Sequence, residues 1–256
     1  MICISIVTIT YNAARTLQRT LDSVARQSYQ HVEHLIVDGA SSDDTVAIAQ
    51  RYQAAVAYEV SIQSEPDKGL YDAMNKGLRM ATGDYVVFLN AGDTLHAADT
   101  LETVVKTIGS GQPAVVYGDT AITDADGRFL HLRTHRPPKV LTWKSFKKGM
   151  LVCHQAFYAR TDIAQKMPYD LRYRHSADVD WCIRIMKEAD RLGLPLANTH
   201  AVVADFEEGG DTTQHHRDSL WERFHVMSCH YGLVQTVLLH CWFVVRAVLT
   251  SLFSSR

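Results

Sequence analysis

The chain has 256 residues, of which 46% are apolar and 21% charged, and its formal net charge is -2. These figures describe one large packed α/β domain, or one with a helical appendage, and exclude a disordered chain. The absence of a basic excess argues against a protein built to coat nucleic acid, and none is expected as a partner.

In chain order, Ile2 to Thr10 is short, β-branched and apolar, which predicts a strand buried on both faces. Asn12 is the expected cap of the helix that follows, with Leu17, Leu21 and Val24 on one face. His34 to Asp38 is a second expected strand, and Ser42 the expected cap of a helix from Asp43. Val56 to Ile62 is a third. Leu70, Ala73, Met74, Gly77 and Leu78 then follow helical spacing, and Tyr85 to Leu89 is a fourth strand. Strand and helix thus alternate four times, as in a mostly parallel, doubly wound sheet. In such sheets ligands sit at the carboxyl ends of the strands.

The second half is less regular. Val115 to Tyr117 reads as a strand, Asp124 to Gly127 as a turn, and Pro137-Pro138 precedes a short helix around Leu141 to Phe146. Ser176 is the expected cap of a helix running to about Ala189. Five cysteines, none in a C-x-x-C pair, fit reduced thiols. The first residues lack the basic region of a signal peptide, so a cytoplasmic catalytic part is expected.

Three strand ends carry polar residues. Asp38, followed by Gly39-Ala40-Ser41-Ser42, can accept hydrogen bonds from a base or ribose, though Asp and Gly are also ordinary turn residues. Asp93 closes the turn Asn90-Ala91-Gly92-Asp93. A carboxylate there, with an amide oxygen and phosphate oxygens, suits Mg²⁺ or Mn²⁺, since hard cations take oxygen ligands. A plain turn capping a helix after Thr94 stays open as the alternative. Asp178 and Asp180 open a helix, where acids complement the dipole, and one of them suits a general base. Two residues apart on a helix, they point in different directions. Asp67 and Lys68 sit at the start of the third helix, a place that favours phosphate.

Seven stretches together resemble family 2 glycosyltransferases of the GT-A fold, especially bacterial polysaccharide enzymes such as those of colanic acid synthesis. They are Ser5 to Asn12, Ile36 to Asp43, Ser64 to Gly77, Phe88 to Asp93, Cys153 to Gln155, Ser176 to Asp178 and Asp205 to Gly210, in family order over roughly residues 2 to 215. The resemblance implies a nucleotide-sugar donor held by Thr8, Tyr11, Asp38 and Asp67, with Lys68, Asp72, Asn75, Asn90 and Ala91 beside it. It implies a metal, Mn²⁺ or Mg²⁺, at Asp93, and Asp178 as the base of an inverting displacement on a glycan or lipid-linked acceptor. Many members carry Asp-x-Asp where this chain has Asn90-Ala91-Gly92, so the metal would lean on Asp93 alone. His154, Gln155 and His215 are candidate acceptor or ligand contacts, and for the histidines a structural or exposed role is favoured over metal ligation.

The expected layout is a GT-A domain over 1–215 and a C-terminal helical segment over 216–256. Plotted as a helix, Leu233 to Phe253 gathers Gln235, Thr236, His240 and Arg246 on one half and only apolar residues, Trp242 among them, on the other. An interfacial helix on the inner membrane surface and a helix packed on the domain or a dimer partner both stay open, while Arg246 and His240 argue against a span. Two other function classes remain: a nucleotide-sugar-binding scaffold with a degenerate site, which the missing Asp-x-Asp keeps open, and a sugar nucleotidyltransferase. The latter, like a dinucleotide oxidoreductase, would bring a glycine-rich loop after the first strand, where this chain has Thr10-Tyr11-Asn12-Ala13-Ala14-Arg15.

Overall fold

The computed structural model describes residues 1–208 and 216–242. Through residue 88, β1 (Ile4–Thr10), α1 (Leu17–Ala25), β2 (Val32–Asp38), α2 (Thr45–Ala55), β3 (Glu59–Ser64), α3 (Leu70–Met80) and β4 (Tyr85–Phe88) alternate as expected. β1 pairs in parallel with both β2 and β4, and β2 with β3. Every residue of β1 and β2 is buried, as central strands covered on both faces require. The pleat divides their side chains by period two. Ile36 joins Leu17, Leu21, Ile48 and Tyr52 under α1 and α2, while Leu35 and Val37 join Met74 and Leu78 under α3.

The rest of the sheet is mixed. β5 (Thr94–Leu95), α4 (Thr100–Ile108), β6 (Val115–Thr123), β7 (Phe129–Leu132), β8 (Phe157–Arg160), α5 (Thr161–Ala164), α6 (Ala177–Leu192), β9 (Leu196–Glu207) and α7 (His216–Tyr231) follow. The strand order is β3-β2-β1-β4-β8-β6-β9-β5, with β7 on β6. β8 joins β4 and β6 antiparallel, while β9 runs parallel to β6 and antiparallel to β5, with Thr94 opposite Asp205. That last pairing carries the end of β9 to the turn after β4. Residues 233–242 are also helical, and 243–256 lie outside the described residues. Among the described residues no helix is long and apolar enough to cross a membrane.

Several expected caps are corrected. Asn12 takes a left-handed conformation (φ 47°), and α1 starts only after Thr16. Asn12 instead accepts the Ser42 amide on its Oδ1 at 2.9 Å. α2 starts at Thr45, whose amide donates to Asp43 rather than to Ser42. Asp93 does not cap a helix, because Thr94 and Leu95 are strand and α4 begins at Thr100. Ser176 does precede α6, but its hydroxyl donates to the Ser219 carbonyl on α7 and accepts no amide of the helix. α6 runs three residues past Ala189, to Leu192, and ends at Gly193, whose φ of 66° suits glycine. The expected helix around Leu141 to Phe146 is a 3-10 helix over Trp143–Lys148.

Candidate active site

The turn after β4 continues the sheet before it bends. Leu89 and Ala91 donate their amides to Val7 and Ile9 of β1, and Gly92 then takes φ 109°. Thr20 of α1 clamps this turn from behind: its hydroxyl accepts the Gly92 amide at 2.9 Å and donates to the Asp93 carbonyl at 2.8 Å. Residues 90–93 form one wall of a cleft of about 320 Å³. His154 and Gln155, from a 3-10 turn ahead of β8, and Asp178, from the first turn of α6, form another.

The side chains in this cleft are linked. Asn90 Nδ2 lies 3.3 Å from His154 Nε2, and His154 Nδ1 lies 3.4 Å from Asp178 Oδ2. Because the amide nitrogen of Asn90 only donates, His154 Nε2 accepts, and the ring proton of a neutral His154 sits on Nδ1, facing Asp178. The other Asp178 oxygen accepts the Tyr71 hydroxyl at 3.1 Å and the Val179 amide at 2.9 Å. Burial pushes the Asp178 carboxyl upward, but the His154 hydrogen bond and charge and the Arg223 charge outweigh it and hold the group below the usual range. Asp178 is therefore an ionised acceptor in a sheltered place. Asp180 points away, as its spacing requires: it bonds His230 at 2.7 Å and Arg184 at 2.6 Å and fastens α7 to α6.

Asp93 is nearly buried, and both its oxygens are engaged. Gln155 Nε2 donates to Oδ2 at 2.7 Å and the Glu207 amide to Oδ1 at 3.2 Å. Burial dominates and lifts its pKa from 3.8 to about 6, although the Gln155 hydrogen bond opposes the rise. A cation at Asp93 would have to share oxygens that already accept Gln155 and the Glu207 amide, in a buried place that disfavours the ionised carboxylate. Two other hard oxygens lie at the turn. Asn90 Oδ1 is buried without a partner. Glu207, at the end of β9, reaches back over Gly92, where an added Cβ would lie 2.8 Å from its Oε2. Its carboxylate thus fills the space that a side chain at position 92 would take. Arg19 holds it there, donating to Glu207 Oε2 at 2.5 Å and to the Gly92 carbonyl at 2.6 Å. Glu207 Oε1 lies 3.9 Å from exposed Arg15. Among the described residues no three His, Cys, Asp or Glu side chains converge. The donor set therefore fits a cation that draws most of its ligands from a bound diphosphate.

The expected nucleotide residues divide. Gly39 packs directly under Asp67 and Tyr11, where an added Cβ would meet Asp67 Oδ2 at 2.5 Å and the Tyr11 ring at 3.3 Å. Tyr11 is 66% exposed. Asp38 sits beneath, its carboxylate accepting Ser41 and Ser64. Asp67 also accepts the Gly69 amide at 2.8 Å, ahead of α3. Thr8 and Asn75 serve the fold instead. Thr8 is fully buried on His34 Nε2, a ring that burial keeps neutral with its pKa near 3. Asn75 exchanges two hydrogen bonds with the Tyr169 backbone. Lys68 and Asp72, joined by a 3.0 Å bond from the Lys68 amide, line a second cavity of about 630 Å³ with Arg174. That cavity meets the cleft at Leu70 and Tyr71. Ala91 lines the cleft, and His215 lies outside the described residues.

Sequence reasoning missed Tyr71, Arg19, Glu207 and Arg223 as site residues. Tyr71 and Glu207 lie inside the motif stretches, but nothing in their spacing tells which way they point. Arg223 reaches the cleft from α7, and its Nε is buried without a partner. A further cavity of about 360 Å³ lies around Asp84 and Arg160, at the amino ends of the strands. Arg160 there is already paired with Asp162 at 2.7 Å, and no convergent acid and base remain.

A model of glycosyl transferase family 2 matches residues 5–167, and the chain belongs to that family. It is 35% identical over 237 residues to a PGL/p-HBAD biosynthesis glycosyltransferase of Mycobacterium bovis, covering 92% of this chain and 88% of that one. It is 32% identical over 221 residues to the amylovoran biosynthesis glycosyltransferase AmsB of Erwinia amylovora, covering 78% and 70%. Among solved structures, S. aureus TarS 1-349 in complex with UDP-GlcNAc aligns with a TM-score of 0.68 at 16% identity, over 94% of this chain and 71% of that one. The mannosyltransferase PcManGT from Pyrobaculum calidifontis, in complex with GDP-Man and Mn²⁺, aligns with a TM-score of 0.62 at 16% identity, over 96% and 80%. The fold is the GT-A fold, and the chain is a glycosyltransferase of bacterial glycan biosynthesis.

Proposed function

We propose that this enzyme transfers a sugar, with inversion, from a nucleotide-sugar donor to a hydroxyl of a glycan or lipid-linked acceptor. The observation that carries the reading is Asp178, an ionised carboxylate in the cleft wall, fixed by His154 and by Tyr71, which lines both the cleft and the second cavity. In this reading the base and ribose lie against the exposed Tyr11 ring and Asp67, near the end of β2. The diphosphate lies along the turn from Asn90, within reach of Arg223. The acceptor enters from the cavity lined by Lys68 and Arg174. Its hydroxyl gives its proton to Asp178 as its oxygen attacks the anomeric carbon. The bond to the nucleoside diphosphate breaks on the opposite face, so the configuration inverts.

A bound Mn²⁺ or Mg²⁺ supplies positive charge to the departing diphosphate. Asn90 Oδ1 and Glu207 Oε1 are the residues offered to hold it, with Asp93 behind them as the group that positions Gln155 and the end of β9. His154 steadies the base through its Nδ1 proton. Asp178→Asn removes the proton acceptor but keeps the shape. It is expected to lower turnover by about 10²-fold or more, while donor binding, read by calorimetry, stays within about threefold of the parent. Turnover at the parent rate in that variant would remove Asp178 from the mechanism.

A further inference from the structure

The helix over residues 233–242 is mounted the wrong way round for a soluble surface. Its sequence, from Leu233 to Trp242, holds no charged side chain. A surface helix ordinarily turns its apolar stripe inward. Here Thr236 is fully buried, and His240 packs edge-on against Phe224 of α7, with ring centroids 5.1 Å apart. The apolar side chains face out instead: Val234 is 75% exposed, Leu238 66% and Trp242 58%, with Leu233 and Val237 beside them. Trp221 of α7, edge-on to Phe224, which also meets His240, is exposed as well.

One edge of this patch carries lysines around Trp143, whose indole also donates to Asp190 at 3.3 Å. Tyr231, two residues before Leu233, stacks on Trp143 with rings 2° from parallel. Lys144 lies over Trp143, and Lys147 over Tyr231. Lys148 follows on the same 3-10 turn and is exposed. An uncharged apolar face with an exposed tryptophan, and with lysines at one edge, is complementary to an anionic lipid surface: acyl chains take the apolar residues, the indole sits at headgroup level, and the ammonium groups meet lipid phosphates. The helix of a second copy, from Leu233 to Trp242, would offer these lysines no anionic partner, whereas lipid phosphates do.

We propose that this face is a membrane-docking surface that seats the enzyme on anionic lipid. It bears on the lipid-linked acceptor proposed above and is tested without turnover. The full chain is mixed with vesicles of phosphatidylcholine alone and of phosphatidylcholine with phosphatidylglycerol, then sedimented. Binding is expected only to the anionic vesicles, and weaker in high salt. Val234→Glu with Leu238→Glu, both at exposed positions, should abolish it. Lys144→Glu with Lys148→Glu should weaken it by about fivefold or more per lysine. Nucleoside diphosphate binding, measured in parallel, should be unchanged in both variants, so a failed donor reading is seen separately. Absence of binding to anionic vesicles, or binding unaffected by the two glutamates, would overturn the proposal. So would a dimer in sedimentation velocity that those glutamates dissociate, since the face would then belong to a second copy.

Discussion

At the residue scale the site is a contest between burial and hydrogen bonding, and its two central carboxylates come out on opposite sides. Asp178 has His154 and the Arg223 charge to oppose its desolvation and stays low. Asp93 has Gln155 and one backbone amide, faces the Glu207 charge, and rises to about 6. Because its folded pKa lies above the 3.8 of an unfolded aspartate, Asp93 contributes stability that is present below that value and lost as the pH climbs through about 6. The Asp93 carboxyl resonance should titrate near pH 6 in the free protein, and the assignment is checked by its loss in Asp93→Asn. A midpoint below about 4.5 would mean that burial does not govern this group. The sequence located Asp38, Asp93 and Asp178 because each closes a strand or opens a helix. It had no means to show that Asp93 faces Gln155 across sixty residues, or that Thr8 turns toward His34.

At the element scale, legibility followed burial. β1, β2 and β4 are buried throughout and rich in apolar residues, and their expected limits fall within two residues of those observed. β9 was not foreseen: its residues are mostly half-exposed and its run carries Asn198, Thr199 and His200, so it has neither a buried run nor clean alternation. It is a strand because β6 and β5 flank it, a non-local cause. Caps failed for a related reason. The loops from Asn12 and Ser42 bond to each other instead of to the helices after them. Helix α3 shows what local pattern can and does not carry. Its stripe was legible, but the need for Gly77 was not: a Cβ there would lie 2.3 Å from Val7 Cγ1 on β1. Gly77→Ala gains about 0.5–1 kcal/mol of helix propensity and forces α3 off the sheet at a cost of about 1–3 kcal/mol or more. The balance should lower Tm by several degrees in a thermal melt and loosen Tyr71 on Asp178. A Tm equal to or above the parent's would show that α3 does not sit hard on β1.

At the scale of the whole molecule, the cleft is closed by residues from the two ends of the chain. Thr16, and Arg19 that holds Glu207, come from the first forty residues, Glu207 and Arg223 from the last fifty. Only the strand order, which carries β9 to the turn after β4, brings Glu207 over Gly92. In the proposed reading, Glu207 supplies the carboxylate that the Asn90-Ala91-Gly92 turn lacks. This has a measurable consequence for donor binding. A ligand held only by the native state stabilises it by mass action, by about 2.7 kcal/mol at a hundred times its Kd, or roughly 5–10 °C for a chain of this size. Nucleoside diphosphates should raise Tm modestly in EDTA and further with Mn²⁺. Glu207→Gln keeps the side chain's length but removes its charge, so it should retain the increment seen in EDTA and lose most of the Mn²⁺-dependent part. The same Tm in EDTA and in Mn²⁺ would end the metal reading altogether. A full Mn²⁺ increment in Glu207→Gln would place the cation elsewhere, and a loss of the EDTA increment as well would mean that the pair of Arg19 and Glu207 holds the turn itself in shape.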